Sequence, residues 1–315
     1  MLLWLVGVAW ADEVRVALGG QLEAASHGIL DVGWRRGPLS VQWQTDTLDV
    51  RLGRTEERGS WSIGLRAASV AAGMWITPWT DGAPDLTRAQ RATYIGPDVQ
   101  VQRYLPNGWW VGAAGFARPH RFRPLPGSTL DVPPTSWSRA QATAGLWRDN
   151  AQARLAVGVD ATTHPGDSGV RTAPHAFFDA AFTPDTKIAP ILSLRAGVAA
   201  GQDEVTATRV GGMTPYHVPL AGAGWAEFWV EDFVAARAGA IAHLGPIDVS
   251  AAVDTVAWTP GEGAVGLEGR LRWHDRALYA EVAVGFSPTI SRPVGIWRVP
   301  VFLVVGTQWL QPGRG

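Results

Sequence analysis

The sequence contains no cysteine. That absence removes disulfide frameworks, thiolate nucleophiles and cysteine-based zinc sites together. Lysine is nearly missing as well: Lys187 stands alone, and arginine supplies the rest of the positive charge. Charged residues are only 17% of the 315 and the net charge is -1, so the chain offers no broad basic surface to nucleic acid. With 46% hydrophobic residues, it is not a disordered chain either. Long apolar runs are absent beyond the first dozen residues; nothing approaches the roughly 18 that a transmembrane helix requires.

What is abundant is tryptophan, 17 against 4 Tyr and 9 Phe. An indole needs an apolar setting for its ring and a partner for its N–H, and a membrane interface satisfies both. The first residues, Met1 to Ala11, form a short apolar run ending in Ala9-Trp10-Ala11, then Asp12-Glu13. The pattern predicts a cleaved signal peptide over 1–11, with no Lys or Arg before the run. The remainder, 12–315, reads as one domain, since no linker or shift of composition divides it.

That remainder alternates. Ile247, Val249, Ala251 and Val253 are interleaved with Asp248, Ser250 and Asp254. Val265, Leu267, Leu271 and Trp273 oppose Glu268, Arg270, Arg272 and His274, and Leu278, Ala280, Val282, Val284 and Phe286 oppose Tyr279 and Glu281. Ala151, Ala153, Leu155, Val157, Val159 and Ala161 repeat the pattern against Gln152, Arg154 and Asp160. Period two over roughly 9–11 residues marks strands long enough to cross an outer membrane at a tilt. Turn signals separate them, such as Pro106-Asn107-Gly108, Gly245-Pro246 and Pro260-Gly261-Glu262-Gly263. The fold class predicted is all-β, an antiparallel transmembrane β-barrel of about 14–16 strands. Residues 39–53 read as one strand broken at Thr45-Asp46-Thr47 by a bulge or a turn. Residues 223–234 read as an acidic strand, and 76–96, 118–136 and 200–222 as long connections. A soluble two-sheet sandwich is the competing fold.

Trp61, Trp75, Trp109, Trp110, Trp137, Trp147, Trp258, Trp273 and Trp309 fall at strand ends or starts, as membrane-interface aromatics would. Glu227, Asp254, Glu268, Arg270 and Arg272 are candidates for a polar lumen, with Arg237 as a further ion-pair partner. The stretch 200–222, rich in Gly and Pro and nearly uncharged after Arg209, is a candidate lumen plug bearing Arg209, Tyr216 and His217.

Catalytic motifs are weak. Gly166-Asp167-Ser168-Gly169 matches the tetrapeptide around a serine-protease nucleophile, but its second oxyanion glycine is replaced by Val170 and it sits among turn residues. Gly261-Glu262-Gly263-Ala264-Val265-Gly266 opens a strand rather than a helix, so no helix N-terminus can meet a pyrophosphate. His27, His120, His164, His175, His217, His243 and His274 have no metal-ligand spacing. The expectation is a chain without catalysis, metal or cofactor, whose partner is the lipid bilayer of the outer membrane.

From Arg209 onward the order of features resembles the C-terminal barrel of the Omp85/surface-antigen superfamily. Arg209-Val210-Gly211-Gly212 opens a long loop, followed by Ala226-Glu227-Phe228 and by the aspartate-bearing strand Ala252-Val253-Asp254-Thr255-Val256-Ala257-Trp258. Strands at 264–274 and 277–287 and a closing strand ending at Trp309 complete the order. The family's Arg-Gly-aromatic loop motif is missing; Met213-Thr214-Pro215-Tyr216-His217 stands there instead. The resemblance implies a 16-strand barrel. The function expected is a pore-forming or structural barrel; the alternatives are an Omp85-like barrel without periplasmic receptor domains that inserts or translocates protein, and a barrel hydrolase. The Omp85-like alternative requires the 200–222 loop to fold into the lumen.

Overall fold

The computed structural model describes residues 13–23, 27–44, 47–68, 74–76, 79–80, 83–124, 127, 137–149, 153–166, 169–201, 207–213, 218–224, 226–259, 261–275, 277–293 and 299–307. The predicted signal peptide, Tyr216, His217 and Trp309 lie outside them.

Sixteen strands form the wall: β1 Glu13–Leu22, β2 His27–Arg36, β3 Leu39–Gln44, β4 Thr47–Glu56, β5 Gly59–Ala68, β6 Gln90–Tyr104, β7 Trp109–Pro124, β8 Trp137–Asp149, β9 Ala153–Gly166, β10 Gly169–Phe182, β11 Ile188–Ala199, β12 Phe233–Leu244, β13 Ile247–Trp258, β14 Glu262–His274, β15 Leu278–Phe286 and β16 Val301–Thr307. Each pairs antiparallel with its sequence neighbours. β1 also pairs with β16, from Ala17↔Gly306 to Leu22↔Val301, and the sheet closes on itself. Closure leaves no sheet edge, which is the condition for spanning a bilayer with strands. A short strand, Met74–Ile76, extends the ladder on β6 beyond the end of β5.

Connections of two to five residues join the strands at one rim: 37–38, 57–58, 105–108, 150–152, 183–187, 245–246 and 275–277. The other rim carries the long loops 69–89, 125–136, 200–232 and 287–300, with short connections between them. Both ends of the wall, Glu13 and Thr307, lie at the short-turn rim. In outer-membrane barrels short turns face the periplasm and long loops the exterior.

The alternation sorts as its period requires. Leu267, Leu271, Val284 and Val253 point outward and are 41–46% exposed, while Asp254 and Glu268 point inward and are buried. Outward apolar side chains continue around the wall, among them Leu18, Ile63, Val99, Val159, Leu192 and Val305. An apolar exterior around a polar interior is the reverse of a soluble sandwich and belongs in lipid.

Two expectations are corrected. Residues 39–53 are two strands, β3 and most of β4, joined through 45–46, because the change of apolar phase between Trp43 and Leu48 is a reversal of the chain. Residues 223–234 do not form a wall strand. Phe228–Val230 is extended but pairs with Thr208–Val210 away from the barrel ladder, and only Phe233 and Val234 belong to the wall, as the start of β12. Glu227 therefore belongs to the loop, not to the wall.

Candidate functional site

The loop between β11 and β12 folds back into the barrel as a hairpin. Thr208↔Val230, Arg209↔Trp229 and Val210↔Phe228 form its stem. The segment at Val218 docks on that stem, with Val218 N–H donating to the Arg209 carbonyl (3.0 Å) and Gly211 N–H to the Val218 carbonyl (2.9 Å). The hairpin's apolar face, Val210, Val218, Leu220, Ala223 and Val230, packs on Phe233, Ala235, Val256 and Ala264 of the wall. Met213 and Ala221 join a second cluster with Ile29, Ala283, Phe302 and Val304. Burying this surface inside the lumen is the driving force for insertion.

Glycine makes the approach close enough. A Cβ on Gly266 of β14 would stand 2.2 Å from the Ala221 carbonyl oxygen. On the loop itself, Gly222 adopts φ 82°, and a Cβ there would meet the Ser287 amide nitrogen at 2.1 Å. Only a residue without a side chain fits either place.

The polar contacts then fix the register. Ala221 N–H donates to Asp254 Oδ2 (3.0 Å), and Met213 N–H to Gln21 Oε1 (3.0 Å). Arg270 Nη2 donates to the Met213 carbonyl (3.1 Å), and Arg292 Nη2 to the Gly222 carbonyl (3.0 Å). Arg292, from the loop between β15 and β16, also holds Glu227 with both guanidinium nitrogens, the Nη2–Oε2 arm at 2.6 Å. The same carboxylate accepts from Gly224 N–H (2.7 Å), so this buried pair is satisfied on several sides.

Beneath the hairpin the wall carries a charge network. Arg237 of β12 bridges Asp254 of β13 (3.2 Å) and Glu268 of β14. Arg270 bonds Glu268 (3.0 Å) and Glu281 of β15 (2.6 Å), and Arg272 lies 4.0 Å from Glu281. Three arginines and three carboxylates balance within the wall itself. Met213 and Pro219 roof a cavity of about 890 Å³ beneath them, lined also by Arg15, Asp31, Asp248, Glu281 and Tyr279.

The residues singled out in the sequence are placed as follows. Asp254, Glu268, Arg270 and Arg272 face the lumen on adjacent strands. Glu227 enters it from the loop. Arg209 lies in the hairpin stem with its guanidinium 3.7 Å from the Trp229 ring centroid. Gln21 and Arg292 carried no sequence signal, being single polar residues at a strand end and in a loop. Trp61 and Trp273 point outward near the short-turn rim, 45% and 40% exposed, and Trp109 points outward there beneath the Arg148 guanidinium, 5.7 Å from its ring centroid. Trp110, Trp147 and Trp258 are corrected: they face inward. Trp110 and Trp147 stack at 4.3 Å over the paired glycines Gly112 and Gly145. Trp258 packs on Phe228 of the hairpin stem at 4.8 Å. The side chains of Trp75 and Trp137 lie outside the described residues.

Gly166 and Gly169 pair across a two-residue reversal whose Asp167 and Ser168 are outside the described residues. His175 meets Asp160 (2.9 Å) as a cross-strand pair on the inner wall, and buried His120 Nδ1 is bonded to the Arg118 carbonyl oxygen. Among the described residues no group of His, Asp and Glu is arranged to hold a metal.

No family model matches the chain, and no curated protein does. Solved structures do. BamA from Haemophilus ducreyi lacking POTRA domains 1–3 superposes with a TM-score of 0.63 at 10% identity, covering 94% of this chain and 70% of that one. CdiB from Acinetobacter baumannii gives 0.60 at 10% identity over 94% of this chain and 59% of that chain. CdiB from Escherichia coli gives 0.58 at 11% over 93% and 62%. The fold is that of an outer-membrane barrel. Its likeness to these Omp85-family barrels runs over nearly the whole chain, not only the part after Arg209, and the chain spans about three fifths of each CdiB. At these identities the likeness concerns the fold alone.

Proposed function

We propose that this is a non-catalytic outer-membrane barrel of the Omp85 type, whose lumen is held shut by its own loop and which handles polypeptide at the membrane, by insertion or translocation, rather than conducting solutes freely. The observation that carries this reading is the hairpin 208–230 seated inside the wall on Asp254, Gln21 and Arg270. A free solute pore needs an unobstructed lumen, whereas here backbone amides and carbonyls of a loop are bonded to the inner wall. The test is the folding of a urea-unfolded outer-membrane barrel into vesicles with and without the reconstituted protein. Several-fold faster folding supports the reading. An unchanged rate, together with a large steady conductance, replaces it by a solute pore.

A gated solute pore is the second reading, favoured by the charged cavity beneath the hairpin. It expects the hairpin to leave the lumen on a solute signal, with no effect on polypeptide folding.

A further inference from the structure

Most arginines of the described wall are matched to carboxylates inside the lumen: Arg15 to Asp31, Arg51 and Arg66 to Asp49, Arg154 to Asp179, Arg237 to Asp254 and Glu268, Arg270 to Glu268 and Glu281. Three arginines at the long-loop ends of β6 and β7 behave differently. Inward positions there are Ala92, His120 and Phe122, all buried. Arg91, Arg121 and Arg123 occupy the opposite parity and therefore face outward, with Arg121 and Arg123 exposed. The ladder sets Arg91 directly opposite Arg123 and Arg121 opposite Thr93. No ion pair joins any of the three to a carboxylate among the described residues. Like charges face to face across a strand pair are destabilising by themselves. An anion between them reverses that sign.

Their height says which anion. The outward face below them is apolar: Ile95, Val99 and Val101 on β6 are 48–58% exposed, and Val111, Ala113, Ala117 and Pro119 follow on β7. Outward-facing Trp109 marks the short-turn end. From Trp109 to Arg121 is about a dozen steps of roughly 3.3 Å, which a tilt of about 40° reduces to ~30 Å of height. The lipid-facing band of such barrels is about 25 Å tall. Arg121 and Arg123 thus stand just above the hydrocarbon, at the headgroups of the external leaflet, and Arg91 stands beside them.

We propose that Arg91, Arg121 and Arg123 form a site on the outer wall for the phosphate groups of a phosphorylated lipid headgroup in the external leaflet. Guanidinium forks suit phosphate oxygens, and an acyl chain of the same molecule would lie along Ile95, Val99 and Val101. The site rests on the long-loop rim being external and is independent of what the lumen does.

The test titrates the full-length protein in detergent with a diphosphorylated lipid A-type glycolipid, with its dephosphorylated form, and with inorganic phosphate, read by native mass spectrometry. The phosphorylated glycolipid is expected to bind. Each single Arg→Gln change should weaken it roughly fivefold and the triple change on the order of a hundredfold, from about 1 kcal/mol per arginine at a charged membrane surface. The triple Arg→Lys variant should bind more weakly than the unaltered protein but more tightly than the triple Gln variant, because the charge is retained and the guanidinium forks are lost. Arg103→Gln, on the same outward face of β6 but at the other rim, should bind as the unaltered protein does. Equal binding of the two glycolipids, or undiminished binding by the triple Gln variant, overturns the site. Displacement of the glycolipid by inorganic phosphate at equal concentration overturns the lipid as its occupant. Heat-modifiable gel mobility reports that each variant is folded; if the triple Gln variant is not, the three single variants decide.

Discussion

Asp254 holds two things at once. One oxygen pairs with Arg237, and the other accepts the Ala221 amide of the loop. Asp254→Ala leaves Arg237 with one carboxylate fewer in a buried setting, a change that costs about 3–5 kcal/mol when a buried pair is broken from one side. Asp254→Asn keeps an acceptor for Ala221 and removes only the charge, so its loss should be smaller. Urea unfolding in detergent, followed by Trp fluorescence, ranks the two; equal losses would mean that the amide contact contributes nothing. A second comparison concerns the two faces of the wall. Leu267→Arg puts a cation into lipid and should cost roughly 2–4 kcal/mol near the bilayer midplane. Ser250→Glu, which points into the 890 Å³ cavity opposite Arg270, should cost less than half of that in the same assay. Both outcomes follow from parity, which is legible in the sequence: alternation sets Leu267 and Leu271 on one face of the strand and Glu268 and Arg270 on the other. Strand-end position was the weaker guide for tryptophan. Trp109 and Trp110 are consecutive in one strand, so their side chains must leave on opposite faces, and only one of them could have met lipid.

The elements were harder to read than the residues. About 14–16 strands were expected and sixteen form the wall, but two segments were drawn differently from the strands that form. Residues 39–53 became two strands, because a two-residue reversal and a bulge look alike when only the apolar phase is visible. Residues 223–234 looked like a wall strand because Phe228 and Val230 have the right residue types; they pair within the loop rather than with the wall, a tertiary fact that composition does not carry. The seating of the hairpin was foreseeable only in outline, from the low charge of 200–222. Its fastening to Gln21 and Arg292, residues almost 200 and about 70 positions from Met213 and Gly222, was not. The tight fit against Gly266 makes the seating testable. Gly266→Val would drive side-chain atoms into the Ala221 carbonyl, and because backbone cannot yield as a side-chain end does, the hairpin should be expelled while the barrel stays closed. Proteolysis should then cut within 208–230 at least tenfold faster, with heat-modifiable mobility retained. Protection equal to that of the unaltered protein would show that the hairpin is not seated against β14.

At the scale of the whole molecule, the question is whether the wall depends on the hairpin or only holds it. The charges give the answer. Arg237, Arg270 and Arg272 are matched by Asp254, Glu268 and Glu281, all on β12 to β15, and the described part of the loop reaches this network through backbone groups of Ala221 and Met213. Removing the loop therefore leaves this network balanced, and water entering the lumen can replace the two lost hydrogen bonds. Arg292 is different, because Glu227 is its buried carboxylate. A clean deletion must take residues 208–230 together with Arg292→Gln, so that no unpaired cation is left among apolar loops. A sixteen-strand barrel is wide enough for an aqueous channel once nothing fills it. The intact protein should accordingly show low conductance in planar bilayers, and the deletion variant a larger, steady, ion-passing pore. Glu227→Gln in the intact chain should fall between them, opening intermittently, since it weakens one fastening and leaves those at Asp254 and Gln21 in place. A large steady conductance in the intact protein, unchanged by the deletion, would mean that the lumen is open past the hairpin and that the loop has a task other than closure.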